Sequence, residues 1–140
     1  MTKGVVMRSA KLIILMLIST ASFAKFGAKS QPLYHCVNYD KSSIVTDAII
    51  HQSQFGRGPL FHEIEVFVED INQDREFSYR KKVNYIPKYD AKVESFTTGS
   101  FRIRLDHVVG GINGNIWAFV RIPDYGIHSF DWSCKVVEGH

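Results

Sequence analysis

From Phe101 to His107 the chain reads Phe-Arg-Ile-Arg-Leu-Asp-His. On an extended backbone successive side chains point to opposite faces, so Phe101, Ile103 and Leu105 share one side and Arg102, Arg104 and Asp106 the other. Such strict alternation specifies a half-buried antiparallel strand. His62 to Val68 repeats the pattern, with Ile64, Val66 and Val68 inward and Glu63 and Glu65 outward. Near the C-terminus Phe130, Trp132, Cys134 and Val136 alternate with Ser129, Asp131, Ser133 and Lys135, which predicts all four of the former on the core side. Weaker strands are predicted over Leu33–Tyr39, Ile44–His51, Glu76–Tyr85 and Ala91–Phe96. No sustained helical period follows Ala24; Val45 to Gln52 is the one stretch that also reads as a short helix.

Turn residues punctuate these runs: Gly56-Arg57-Gly58-Pro59, Asn72-Gln73-Asp74, Pro87, Thr98-Gly99, Gly110-Gly111, Asn113-Gly114 and Pro123-Asp124-Tyr125-Gly126. Glycine and asparagine tolerate the positive φ that tight hairpins need. About eight short antiparallel strands with regular turns imply an all-β fold, a small β-sandwich or a closed β-barrel.

The N-terminus is of a different kind. Lys3, Arg8 and Lys11 precede the apolar run Leu12 to Ile18, and Ser22-Phe23-Ala24 places small residues three and one before a cut. A basic head, a short apolar core and a small-residue site make a secretory signal peptide over residues 1–24. The run is too short for the ~20 apolar residues that span a bilayer. The expected organisation is therefore 1–24 signal peptide, 25–31 flexible leader and 32–140 a single all-β domain. The destination is exported, periplasmic or extracellular. Absence of an Asn-x-Ser/Thr sequon fits a bacterial envelope.

Removing the signal removes three of the 17 basic residues and none of the 14 acidic ones, leaving 14 of each. A neutral domain carries no electrostatic footprint for nucleic acid or for a membrane held by charge alone. Cys36 and Cys134, the only cysteines, are expected to pair in an oxidising compartment.

No family motif is recognised, and no cofactor is implied. Asp70, Asn72 and Asp74 have the spacing that opens a calcium loop, but Arg75 stands in place of its glycine and Lys81 in place of its bidentate glutamate, so an ordinary polar turn is expected. The six histidines show no ligand spacing on a shared element. His128, Ser129 and Asp131 hold the residue types of a hydrolytic triad, but His128 points away from the other two on a strand. The glycine-rich Gly110 to Gly114 joins strand to strand and lacks the helix that a phosphate loop needs.

Two candidate binding surfaces remain. Tyr79, Arg80 and Lys82, with Lys81, Tyr85, Lys88 and Tyr89 nearby, interleave bases with aromatics. In the run Ile116 to Ile122, Ile116, Ala118, Val120 and Ile122 suffice as a core face, so Trp117, Phe119 and Arg121 must share the outer one, where two aromatics beside an arginine match the residue types of binding hot spots. The expected function is an exported non-catalytic binding module for a protein, glycan or envelope component. The alternatives are an inhibitor of a secreted or cell-wall enzyme, a small barrel carrying an apolar ligand, and an enzyme whose site converges only in space.

Overall fold

In a computed structural model, which describes residues 28–110 and 115–137, eight strands follow one another: β1 (Ala28–Asn38), β2 (Val45–Phe55), β3 (Phe61–Asp70), β4 (Arg75–Lys88), β5 (Val93–Thr98), β6 (Phe101–Gly110), β7 (Ile116–Ile122) and β8 (Ile127–Val136). Each pairs antiparallel with the next, and β8 returns to β1, so the sheet is a closed up-and-down barrel. Closure removes every sheet edge and with it the risk of edge-to-edge pairing. The barrel therefore decides between the two architectures expected from the strand count.

The seam is covalent. Cys36 stands directly opposite Cys134 across β1 and β8, the two are disulfide-bonded, and both are fully buried. Around them the interior is filled by Ala48, Ile50, Ile64, Val66, Phe96, Ile103, Leu105, Val120, Ile122 and Trp132. An eight-stranded barrel is just wide enough for its own side chains, and here large ones occupy it.

Short turns follow the expected chemistry. Thr98 pairs with Phe101 around Gly99-Ser100, and Gly99 has φ 58, the positive value a primed hairpin turn demands at its first central residue. Asp70 Oδ1 accepts from Gln73 N at 3.3 Å and caps the 3-10 turn Ile71–Gln73, so the Asp70-Asn72-Asp74 run serves a hairpin connection. Among the described residues no group of three or more His, Cys, Asp or Glu is placed to hold a metal ion, and no helix is long and apolar enough to cross a membrane.

Two expectations are corrected and one ambiguity, at Val45 to Gln52, is resolved. Ala28 to Gln31 is not leader but the start of β1, paired with Phe55 to Gln52. Val45 to Gln52 is strand, because β2 is claimed on both sides by β1 and β3. In β8 the alternation breaks. Ala118 pairs with Trp132 but Val120 with Ser129, so three residue steps of β8 match two of β7. That bulge turns Phe130 outward, 47% exposed, while Trp132 and Cys134 stay in the core; Val136, at the strand end, is also exposed. The signal peptide over 1–24 and the Gly111 to Gly114 turn lie outside the described residues.

Candidate functional site

The outer face of β6, β7 and β8 is built by parity. With Ile103, Leu105, Ala118 and Val120 inside, Arg102, Arg104, Trp117, Phe119 and Arg121 must point out, and the β8 bulge adds Phe130 to them. Register then sets the neighbours: Arg102 faces Arg121, Arg104 faces Phe119, and Arg121 faces His128 on its other side.

The aromatics form one cluster. Trp117 stacks on Phe130 with centroids 5.1 Å apart and planes 18° from parallel. Phe119 lies 4.6 Å from Phe130 and meets His128 edge-on at 5.0 Å. Trp117 Nε1 donates to the Phe130 carbonyl at 3.1 Å, which locks the indole in place. The Arg104 guanidinium sits 5.6 Å over the Phe119 ring, a cation–π contact. Trp117 and Phe119 are half-buried, whereas Arg102, Arg121, His128 and Phe130 are exposed.

The charges here are unusual for a surface. Like charges directly opposite on neighbouring strands repel. Among the described residues neither Arg102 nor Arg121 has a carboxylate within ion-pair distance. Arg102 and Arg121 thus stand opposite each other on the face that also carries the Trp117, Phe119 and Phe130 rings.

Tyr79, Arg80 and Lys82 do not converge. Tyr79 packs against the core and stacks on Tyr125 at 6.3 Å, and its buried hydroxyl has no partner among the described residues. Arg80 and Lys82 lie on the opposite face. Lys82 sits 5.0 Å over the Phe61 ring. Arg80 Nη1 donates to Ser30 Oγ at 3.2 Å and its Nη2 lies 3.5 Å from Glu65 Oε1.

Arg80 belongs to a network that the sequence did not reveal. His51 Nε2 and Glu65 Oε1 are 2.9 Å apart, both residues are buried, Ser30 Oγ lies 3.3 Å from His51 Nδ1, and Ser78 donates to Glu65 Oε2 at 3.0 Å. Burial pushes the Glu65 carboxyl up, but His51, Arg80 and Ser78 outweigh it and hold the group below the ordinary carboxylate range. Serine, histidine and glutamate in series have the elements of a hydrolytic relay. Here Ser30 Oγ is held by Arg80 and by Ser53 at 3.4 Å, and it sits in the β1–β2 ladder opposite Ser53 rather than on a turn. The only advance signal was that His51, Glu63 and Glu65 share the outer parity of β2 and β3.

A second polar cluster centres on Glu94 of β5. Glu94 accepts from Tyr34 and Tyr85, each at 2.7 Å, and from His107 Nε2 at 2.7 Å. Burial pushes Glu94 up, yet these donors together hold it below the ordinary range. Burial, reinforced by the Glu94 carboxylate, raises the Tyr34 hydroxyl and takes Tyr85 to about 12. His62, beside Tyr85 and Phe96, is shifted down chiefly by burial.

No protein family, curated protein or solved structure compared with this chain matches it.

Proposed function

We propose that this is a non-catalytic, exported binding module that holds an acidic glycan of the cell envelope on the outer face of β6, β7 and β8. The observation that carries the reading is the Arg102–Arg121 pair beside the Trp117, Phe119 and Phe130 rings. Folding gains nothing from opposing two arginines, whereas a sugar carboxylate or sulfate would bridge them through charge-assisted hydrogen bonds. The flat rings offer the apolar floor on which sugar C–H faces rest. Export rests on the basic–apolar–small pattern of residues 1–24 and is compatible with the buried disulfide. The filled interior makes the outer surface the better place for a ligand than the barrel axis.

The test uses the chain from Lys25 onward and oligogalacturonates, with their fully methyl-esterified forms as uncharged controls. Calorimetry is expected to show binding of the acid alone, weakening as salt screens the exposed charges. Arg102→Gln with Arg121→Gln should abolish binding and leave the melting temperature unchanged or higher, since it relieves like-charge repulsion. Equal binding of esterified and acidic oligomers, or a double variant that binds as the wild type does, would contradict the proposal.

A further inference from the structure

On the outer face of β4, β5 and β6 lies a groove of about 370 Å³. Lys88, Tyr89, Ser95, Arg102 and Arg104 supply much of its lining. It is continuous with the aromatic–arginine face: Arg104 lines the groove and also covers the Phe119 ring, and Arg102 lines it while facing Arg121. Crossing from β4 to β8 takes four inter-strand steps of about 4.8 Å, roughly 19 Å along the curved surface. That is room for several sugar units in a row.

One wall of the groove is held at a conformational cost. Tyr89, Asp90 and Ala91, between the closing pair Lys88 and Val93, have φ of 54, 56 and 62. Three consecutive non-glycine residues in the left-handed region are unfavourable, because Cβ crowds the following carbonyl. Two backbone bonds fasten the turn: Lys92 N donates to the Tyr89 carbonyl at 3.1 Å, and His107 N to the Lys92 carbonyl at 2.9 Å. Glycine would relieve the strain at any of the three positions. Strain retained by its surroundings clusters at binding sites, where it fixes a side chain in advance of the ligand. Here the side chain is Tyr89, 75% exposed and standing at the groove wall.

We infer that this groove is an extension subsite for a polyanionic oligosaccharide, in which the strained turn presents Tyr89 as a stacking platform while Lys88 and Arg104 take the acidic groups that follow the one held at Arg102 and Arg121. The inference rests on the glycan reading of the neighbouring face and adds to it a length requirement and a second set of contacts. Asp106, also in the lining, stands opposite Trp117 at the β6–β7 side of the groove, where it disfavours an acidic group placed beside it.

The experiment titrates the chain from Lys25 onward with galacturonate dimers and hexamers by calorimetry. In the wild type the hexamer should bind about tenfold or more tightly than the dimer, the gain from one further stacked and charge-paired unit. Tyr89→Ala should remove most of that gain and leave dimer affinity unchanged. Ala91→Gly should raise the melting temperature by a few degrees while weakening the hexamer alone, because relaxing the turn frees the platform. Dimer binding that needs Arg121, with a hexamer gain that survives both Tyr89→Ala and Lys88→Gln, would overturn the groove and leave the aromatic face standing. No binding of either oligomer would overturn both.

Discussion

Single residues on this barrel divide by parity, and the division separates Tyr79 from Arg80. The Tyr79 hydroxyl is buried without a partner among the described residues, so removing it removes a desolvation cost. Tyr79→Phe is expected to leave stability unchanged or raise it by up to about 1 kcal/mol in urea unfolding. Arg80→Ala leaves Glu65 buried with a charge that has lost its guanidinium partner, and should cost about 2 kcal/mol or more. Glu94 and Glu65 set the acid limit. Their folded-state values lie below the ordinary 4.5, so their contribution is complete above that pH and is lost as pH falls through the folded values. Glu94→Gln should flatten the pH dependence of the melting temperature below about pH 4.5 relative to wild type. At the alkaline end, burial takes Tyr79 and Tyr85 to about 12 and raises Tyr34 as well, all above the ordinary 10.0. The fold is therefore insensitive to these hydroxyls below the ordinary value and loses stability as pH rises from there through the raised folded values, where they must ionise. The outward placement of Trp117, Phe119 and Arg121 was legible because parity needs only one strand. Joining Tyr79 to Arg80 and Lys82 failed for the same reason, since chain neighbours face opposite sides. The His51–Glu65–Arg80 network was not legible, because it depends on register between strands.

At the scale of the element, β6 and β3 were readable as strands because one face is apolar and the other charged. β2 was ambiguous because Ala48, Ile49 and Ile50 are all buried, and a continuous apolar run has no period to read. The bulge in β8 was invisible for a different reason: the alternation runs on unbroken through Ser129-Phe130-Asp131, and only the register with β7 reveals the extra residue, where Ser129 Oγ accepts from Asp131 N at 2.9 Å. Its consequence is functional, since it carries Phe130 from the core side to the outer cluster. The two aromatics of β8 should therefore behave oppositely. Trp132→Ala, emptying a fully buried site, should cost about 3–5 kcal/mol. Phe130→Ser should cost about 1 kcal/mol, matching a half-exposed ring that stacks on Trp117 and meets Phe119 at a tilt. Urea unfolding of the two variants measures both.

For the whole molecule, closure is the organising fact. The first and last strands must meet, and among the described residues their contact is the most non-local, with Cys36 and Cys134 98 positions apart. Linking those positions removes chain entropy from the unfolded state, about 4–5 kcal/mol for a loop of this length. Cys36→Ala with Cys134→Ala is expected to lower unfolding free energy by about 3–5 kcal/mol. The pairing itself was readable from the even cysteine count and the expectation of export; the closed order of strands was not, because a sandwich uses the same strands and turns. On the outer surface Arg102 of β6 stands directly opposite Arg121 of β7, so the charges there are arranged against their own repulsion. The most direct measurement is a two-dimensional amide and aromatic NMR titration of the chain from Lys25 onward with oligogalacturonate. The account predicts shift changes concentrated at Arg102, Arg104, Trp117, Phe119, Arg121 and Phe130, saturating with ligand and absent with the methyl ester. Changes centred on β1 to β3, or none at all, would contradict it.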